Sequence, residues 1–404
     1  MCGILVYREK GNNDYIRRRG KVENHKKVNE YTFVHSLLPV TGNLTLQPFI
    51  KDDIVCVYNG EIYNQPFEKS DGEVLIPLYQ KHGILFAKQL DGEFAIALYD
   101  FKSDLALFIT DPFGTKPLWR NGLECASYKS GVGGVALNPN TIEGIVISTG
   151  KVIFSYKYHN WDWNQHKETY DDWISAFEKA IKKRAKDGCF IGLSSGYDSG
   201  AISNELVKQG VKFKAYSVFN NENVSVIKKR SETVPEFEEI IPEFSKLKEE
   251  LKEKVEDVFY KFSSEKLITD DIASVGLAAI CKKANQEGRV VCLSGQGADE
   301  IIGDYRLYPK QSCFGGVFPL VIEEWENFTG GFQRDYLNKE EYVGGAYAIE
   351  TRYPFLDTEL VQEFLWLKPD LKNEFYKAPL REYLIRNNVP FNEGIKRGFR
   401  PITK

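Results

Sequence analysis

No apolar run in this chain reaches the length needed to cross a bilayer. The opening twenty residues lack the apolar core of a secretory leader and end in Arg17-Arg18-Arg19-Gly20. A cytoplasmic protein with no membrane partner is therefore expected. Neither sign of charge is in large excess: 53 Lys and Arg against 57 Asp and Glu leave a net charge of −4, which gives nucleic acid or an anionic surface little to attract. The five histidines form no HxxxH pair and the seven cysteines no CxxC pair, so a zinc site is not expected. An odd, irregularly spaced cysteine set also argues against a disulfide framework. Internal repeats and low-complexity tracts are missing. So is the GxxxxGK[ST] lysine loop, which excludes the common phosphate-binding loop. What remains is ordinary globular composition, 42% hydrophobic and 27% charged, in 404 residues, enough for two domains with a core each.

The first ~150 residues read as short β segments broken by turns. DIVCVYNG, EFAIALYDF, DLALFITD and GIVISTGKVIFSY are β-branched and aromatic, with Gly, Asn or Asp at their ends, and EVLIPLYQKHG between them reads as a helix. Stacked antiparallel sheets are expected. The polar, Trp-bearing stretch YHNWDWNQHKETY then reads as a linker. Beyond it the pattern changes. DDWISAFEKAIKKRAK sets Trp173, Phe177 and Ile181 four apart on one helix face, with acids at its start and lysines near its end. CFIGL, SSGYDS, GAISNELVKQG and VKFKAYSVF follow as strand, turn, helix and strand, the unit of a parallel sheet. KLKEELKEKVEDVF reads as a solvated amphipathic helix. The expected fold class is thus α+β followed by α/β.

Three stretches carry chemistry. Cys2 either starts a strand as a small buried residue or, once Met1 is removed, places a thiol beside its own α-amino group, a nucleophile with a built-in base. In CFIGLSSGYDSG, the amides and hydroxyls of Ser194, Ser195, Gly196 and Ser199 suit an anion at a helix start. Asp198 repels phosphate unless a cation lies between, which suggests a magnesium ligand. In VVCLSGQGADEIIGDY the same logic recurs: strand, Ser-Gly-x-Gly turn, and the acids Asp299 and Glu300. A second parallel strand would deliver that turn to the same sheet edge, where open α/β folds bind ligands.

Taken in order, the motifs resemble those of a known family. SSGYDS is similar to the SGGxDS loop of the ATP pyrophosphatases, and SGQGADEIIGDY, ETRYPFLD, YKAPLREYL and KRGF resemble the corresponding segments of asparagine synthetases. MCGI, YNGEIYN, SDGEVL, LDGEFAIALYD and TDPFGTKPLW resemble the class II glutamine amidotransferase domain that precedes the synthetase domain. The resemblance implies a four-layer αββα N-terminal-nucleophile hydrolase domain over residues 1–155. It also implies a parallel-sheet ATP-pyrophosphatase domain over 168–404 and, by family habit, a homodimer. Cys2 would attack the side-chain amide of glutamine, Asn59 and Gly60 would stabilise the oxyanion, and Glu61 and Asp71 would hold the substrate amine. ATP would lie over Leu193, Ser194, Ser195, Gly196, Asp198, Ser199, Ser294 and Gly295, with Asp198 and Asp299 holding Mg2+. Lys377 would stabilise charge at the α-phosphate. Gln296, Glu300, Glu350 and Arg352 would line an acceptor pocket. Ammonia would pass through an internal tunnel to an acyl-adenylate and displace AMP. The small-molecule partners would be glutamine, ATP and a carboxylate, either aspartate or another.

The chain also departs from that pattern. Leu37 stands where an arginine grips the glutamine carboxylate, which leaves Arg17, Arg18 or Arg19 as substitutes. Thr110 replaces another common arginine, Ser195 a glycine, and Gln296 a frequent glutamate. These changes bear on the glutamine grip and the acceptor. They leave open an ammonia-dependent ligase with an impaired first domain, or a ligand-binding descendant without catalysis.

Overall fold

The computed structural model describes residues 2–218, 222–256, 258–262 and 266–394. The KRGF motif (396–399) lies outside them. The described chain divides into two compact units. One takes in Met1–Asn160 with the short segments Lys254–Glu256 and Gly344–Glu350; the other takes in Trp161–Glu253, Asp257–Val343 and Thr351–Lys404.

The first unit is built on two six-stranded sheets. Its strands are β1 (Gly3–Tyr7), β2 (Val22–Val28), β3 (Tyr31–Leu37), β4 (Phe49–Lys51), β5 (Ile54–Ile62), β6 (Gly92–Asp100), β7 (Leu105–Thr110), β8 (Trp119–Asn121), β9 (Glu124–Ala126), β10 (Val135–Ala136), β11 (Thr141–Val146) and β12 (Val152–Lys157). The sheet orders are β10-β8-β9-β1-β3-β2 and β12-β11-β7-β6-β5-β4. The recorded pairings within them are antiparallel. The period-2 alternation of the strands sets the layering. Ile4, Val6, Tyr31 and Phe33 of one sheet pack on Val55, Val57, Ala95, Ala97 and Phe108 of the other. Cys56, Tyr58, Ile96 and Leu98 face the opposite way, onto Leu75, Ile76 and Tyr79 of the helix Leu75–His82. The segment Lys254–Glu256 joins this unit where Ser130 N–H and Oγ reach the Glu256 carboxylate at 2.6–3.1 Å, and it meets the other far-sequence segment where Lys254 lies over the Tyr347 ring.

The second unit is α/β. Its sheet comprises β13 (Cys189–Gly192), β14 (Phe213–Val218), β15 (Glu236–Ile240), β16 (Val291–Leu293) and β17 (Glu350–Arg352), in the order β15-β14-β13-β16-β17. β13 is parallel to both β14 and β16. The helix Asp171–Arg184 buries Trp173, Phe177 and Ile181, the face its spacing predicts. The stretch after residue 158 differs from a free linker. Trp161 and Trp163 pack on Phe328, and Asp162 is bonded to Gln362 and Trp366. Two large indole rings bury more apolar surface against the second unit than a polar linker would.

Candidate active sites

In the first unit, parity along β5 decides where side chains point. Asn59 falls on the same side as Val55 and Val57, toward the sheet that begins just after Cys2. The Cys2 backbone N–H donates to Asn59 Oδ1 at 3.0 Å. That contact fixes the amide so that Nδ2, which is buried, has no hydrogen-bond partner among the described residues. A buried donor left unpaired is costly, and such donors are retained where a ligand will use them. Gly60 follows at φ +153°, and a Cβ there would stand 2.0 Å from the Glu93 carbonyl oxygen on β6, so only glycine fits. Burial pushes the Cys2 thiol up to about 11, with the Leu38 backbone amide among the groups opposing that shift and the Glu350 and Glu61 carboxylates reinforcing it. An ionised thiol is thus disfavoured at neutral pH.

Asp71 is buried at the start of the turn Asp71–Val74 and accepts from the Ile62 N–H at 2.8 Å. Burial raises its pKa, the Tyr58 hydroxyl and Ile62 amide oppose this, and Glu350 adds to it. Glu61, next to Ile62 on β5, is buried and pairs with Glu93 on β6. Leu37 is itself buried and offers no charge. Of the three candidate replacements, Arg17 is exposed and Arg18 lies over the Tyr15 ring. Arg19 is fully buried: its Nε donates to the Cys2 carbonyl at 2.8 Å and a terminal nitrogen to the Tyr128 hydroxyl at 2.7 Å. Arg19 therefore positions Cys2, a role the sequence did not signal. Thr110 bonds the Asn138 carbonyl at 2.6 Å. Its neighbour Asp111 gathers two hydrogen bonds from Thr115 and one each from the Phe94 and Phe113 amides, fixing the TDPFGTKP loop.

In the second unit, the loop after β13 is tied to itself. Ser194 N–H donates to Ser199 Oγ at 3.0 Å and Gly196 N–H to Ser194 Oγ at 3.1 Å. Ser195, the residue that replaces a glycine, donates both N–H and hydroxyl to Glu222. Leu193 is buried behind them. Arg230, another buried arginine without a sequence signal, holds the loop from below through the Ser194 and Gly196 carbonyls, at 2.5 and 2.8 Å. Burial lowers its pKa to about 10, against the charges of Glu222 and Asp198.

Asp198 and Asp299 come together on one atom. The Lys377 Nζ lies 2.6 and 2.8 Å from the two Asp198 oxygens and 2.8 Å from an Asp299 oxygen. Burial opposes its charge, but the two carboxylates more than offset this and raise its pKa. Lys377 holds φ +50°, a left-handed conformation for a non-glycine residue, just before the helix Ala378–Arg386. Tyr376 also donates to Asp299, at 2.8 Å. Two carboxylates that converge on a cation are a donor set suited to Mg2+. Asp299 and Glu300 sit in a π-helical turn, Ala298–Ile302, a feature frequent at functional sites. Glu300 accepts from the Gly297 N–H at 3.0 Å and from the Tyr305 hydroxyl. Gly295 abuts Asp198 closely: a Cβ there would lie 2.9 Å from the Asp198 Cβ. Arg352 donates to the Arg184 carbonyl and accepts from the Ser294 amide through its own, so it is built into the sheet edge. Glu350 is grouped with the first unit, where its charge is felt at Cys2 and Asp71.

A glutamine amidotransferase domain profile matches residues 35–124, and an asparagine synthase profile matches 172–340. The chain belongs to the asparagine synthetase family. It is 27% identical over 450 residues to asparagine synthetase [glutamine-hydrolyzing] 1 of Saccharomyces cerevisiae, covering 92% of this chain and 77% of that one. It is 24% identical over 424 residues to asparagine synthetase [glutamine-hydrolyzing] 3 of Arabidopsis thaliana, covering 92% and 72%. The two profiles enclose Asn59, Gly60, Glu61 and Asp71 in one case and Asp198 and Asp299 in the other. Within this asparagine synthetase family chain, Lys377 reaches those two aspartates from beyond the matched stretch. Among the described residues no helix is long and apolar enough to cross a membrane.

Proposed function

We propose that this chain couples glutamine hydrolysis to ATP-dependent amidation of a carboxylate, with aspartate as acceptor and asparagine, AMP and pyrophosphate as products. Residues 1–155 would carry the glutaminase and residues 168–404 the synthetase. The observation that carries the reading is Asn59, whose Oδ1 orients the Cys2 nitrogen while its Nδ2 stands unpartnered for an oxyanion.

With Met1 removed, the nitrogen bonded to Asn59 is the α-amino group. It takes the thiol proton as the sulfur attacks the glutamine amide carbon, then gives that proton to the departing ammonia. Asn59 Nδ2 and the backbone around Gly60 hold the developing oxyanion, and Asp71 and Glu61 hold the substrate ammonium. Water releases glutamate from the thioester. In the synthetase, the amides and hydroxyls of the Ser194–Ser199 and Ser294–Gly295 turns bind pyrophosphate oxygens. Mg2+ held by Asp198 and Asp299 would neutralise phosphate charge. Lys377 stabilises the α-phosphate as an oxygen of the acceptor attacks it and pyrophosphate leaves. Ammonia then adds to the acyl carbon and AMP departs.

The test incubates the full chain with ATP, Mg2+, glutamine and aspartate, and follows asparagine and pyrophosphate in equal amounts. Cys2→Ala is expected to abolish glutamine-driven synthesis and to keep ammonium-driven synthesis. Pyrophosphate release that ignores aspartate would overturn the acceptor; a Cys2→Ala protein that still hydrolyses glutamine would overturn the nucleophile.

A further inference from the structure

The turn after β16 and the helix Gly331–Ala346 beside it hold two buried polar atoms without a hydrogen-bond partner among the described residues. Ser294 Oγ donates to Glu340 Oε1 at 2.9 Å and accepts from the Gln296 N–H at 3.1 Å, which ties the helix Gly331–Ala346 to this turn. The other carboxylate oxygen, Glu340 Oε2, is buried and has no hydrogen-bond partner among the described residues. The Gln296 Nε2 is in the same condition. Neither atom is accounted for by packing. A desolvated carboxylate oxygen without a donor is unfavourable in a folded protein unless a ligand meets it.

The neighbouring acids are engaged. Asp198 and Asp299 hold Lys377, Glu300 accepts from Gly297 and Tyr305, and Glu341 accepts from the Tyr353 hydroxyl at 3.0 Å. Gln296 offers a donor and cannot accept a proton from an amine. Amide formation requires such acceptance. When ammonia adds to the acyl carbon, the new C–N bond leaves a positive nitrogen, which departs again unless it loses a proton.

We propose that Glu340 takes that proton, acting as the catalytic base of the amide-forming step. This rests on the amidation reading above. The C–N bond forms, one N–H proton passes to Glu340 Oε2, the carbon–oxygen bond to AMP breaks with its electron pair going to the phosphate, and Glu340 returns its proton to water. Burial raises the Glu340 carboxyl to about 7, a value suited to a base at neutral pH. The Ser294 hydroxyl and the Lys339 ammonium oppose the rise; Glu341 and Glu300 add to it. The Cys281 and Cys292 thiols also feel its charge.

The experiment uses full-length Glu340→Gln and Glu340→Asp with aspartate as acceptor. Aspartate-dependent exchange of pyrophosphate into ATP reports adenylation, and ammonium-driven asparagine formation reports the later step. Glu340→Gln is expected to keep exchange and to lose asparagine formation by about 100-fold or more, with Glu340→Asp between. At constant free ammonia, the wild-type amide-forming rate should rise with pH through about 7, as the carboxyl ionises, and this limb should vanish in Glu340→Gln. Hydroxylamine should restore product in Glu340→Gln, because its weakly basic nitrogen sheds a proton to water once it has added. A Glu340→Gln protein that makes asparagine at the wild-type rate overturns the proposal. So does a parallel loss of exchange and amide with glutaminase intact. A wild-type protein without aspartate-dependent exchange overturns instead the function on which the proposal rests.

Discussion

In the proposed reaction Asn59 would perform two tasks through two atoms, and substitution should separate them from the rest of the molecule. Asn59→Ala removes the unpartnered Nδ2 and is expected to lower glutamine hydrolysis by roughly 100- to 1000-fold. Ammonium-driven product should be unchanged, because the Asn59 contacts lie within the first unit. Glutamate release and pyrophosphate release, measured side by side, check this. Residues of this kind are legible in a sequence because their type is chemically singular within the motif: a thiol at position 2, an amide before a glycine, an aspartate inside a serine turn. The place of Arg19 on Cys2 was not legible, nor were Arg230 and Glu340 at all. Each is an ordinary charged residue in an ordinary helix or turn, and only the fold reveals that it is buried on the Cys2 carbonyl, on the serine loop or beside Ser294.

At the scale of elements, the helix Pro369–Glu374 carries a buried ammonium. Lys372 Nζ donates to Gln165 Oε1 at 2.7 Å and to the Leu365 carbonyl at 2.9 Å, with no carboxylate among these partners. Burial pushes its pKa down from 10.5 to about 7. Between those values the unfolded chain holds a proton that the folded protein has released, so this group makes stability rise with pH across that window. Lys372→Met should lack that rise. From pH 7 to 8, wild type should gain about 1 kcal/mol, a few degrees in Tm, relative to the variant; thermal unfolding at several pH values checks it. Among the strands, β5, β6 and β7 were readable from β-branched and aromatic runs, as was the Asp171–Arg184 helix from its spacing. The strand β2, VENHKKV, was not. It lies at a sheet edge and is largely exposed, so it carries charge where a central strand carries hydrophobics.

At the scale of the whole molecule, the change from antiparallel sheets to a parallel one was written in the shift from strand runs to alternating strand and helix. The membership of the segments Lys254–Glu256 and Gly344–Glu350 was not, since nothing local marks a stretch that packs with residues hundreds of positions earlier. A fragment of residues 1–160 lacks those segments, so Ser130 loses the Glu256 carboxylate and Cys2 and Asp71 lose the field of Glu350. Such a fragment is expected to melt at least several degrees below the full chain, which calorimetry would register. The same arrangement has a bearing on biosynthesis. The unit containing Cys2 is not complete when its own sheets have left the ribosome; it waits for residue 350. At ordinary elongation rates that delay is roughly 10–40 s, a span in which the nascent front end stays unfinished and a chaperone could hold it.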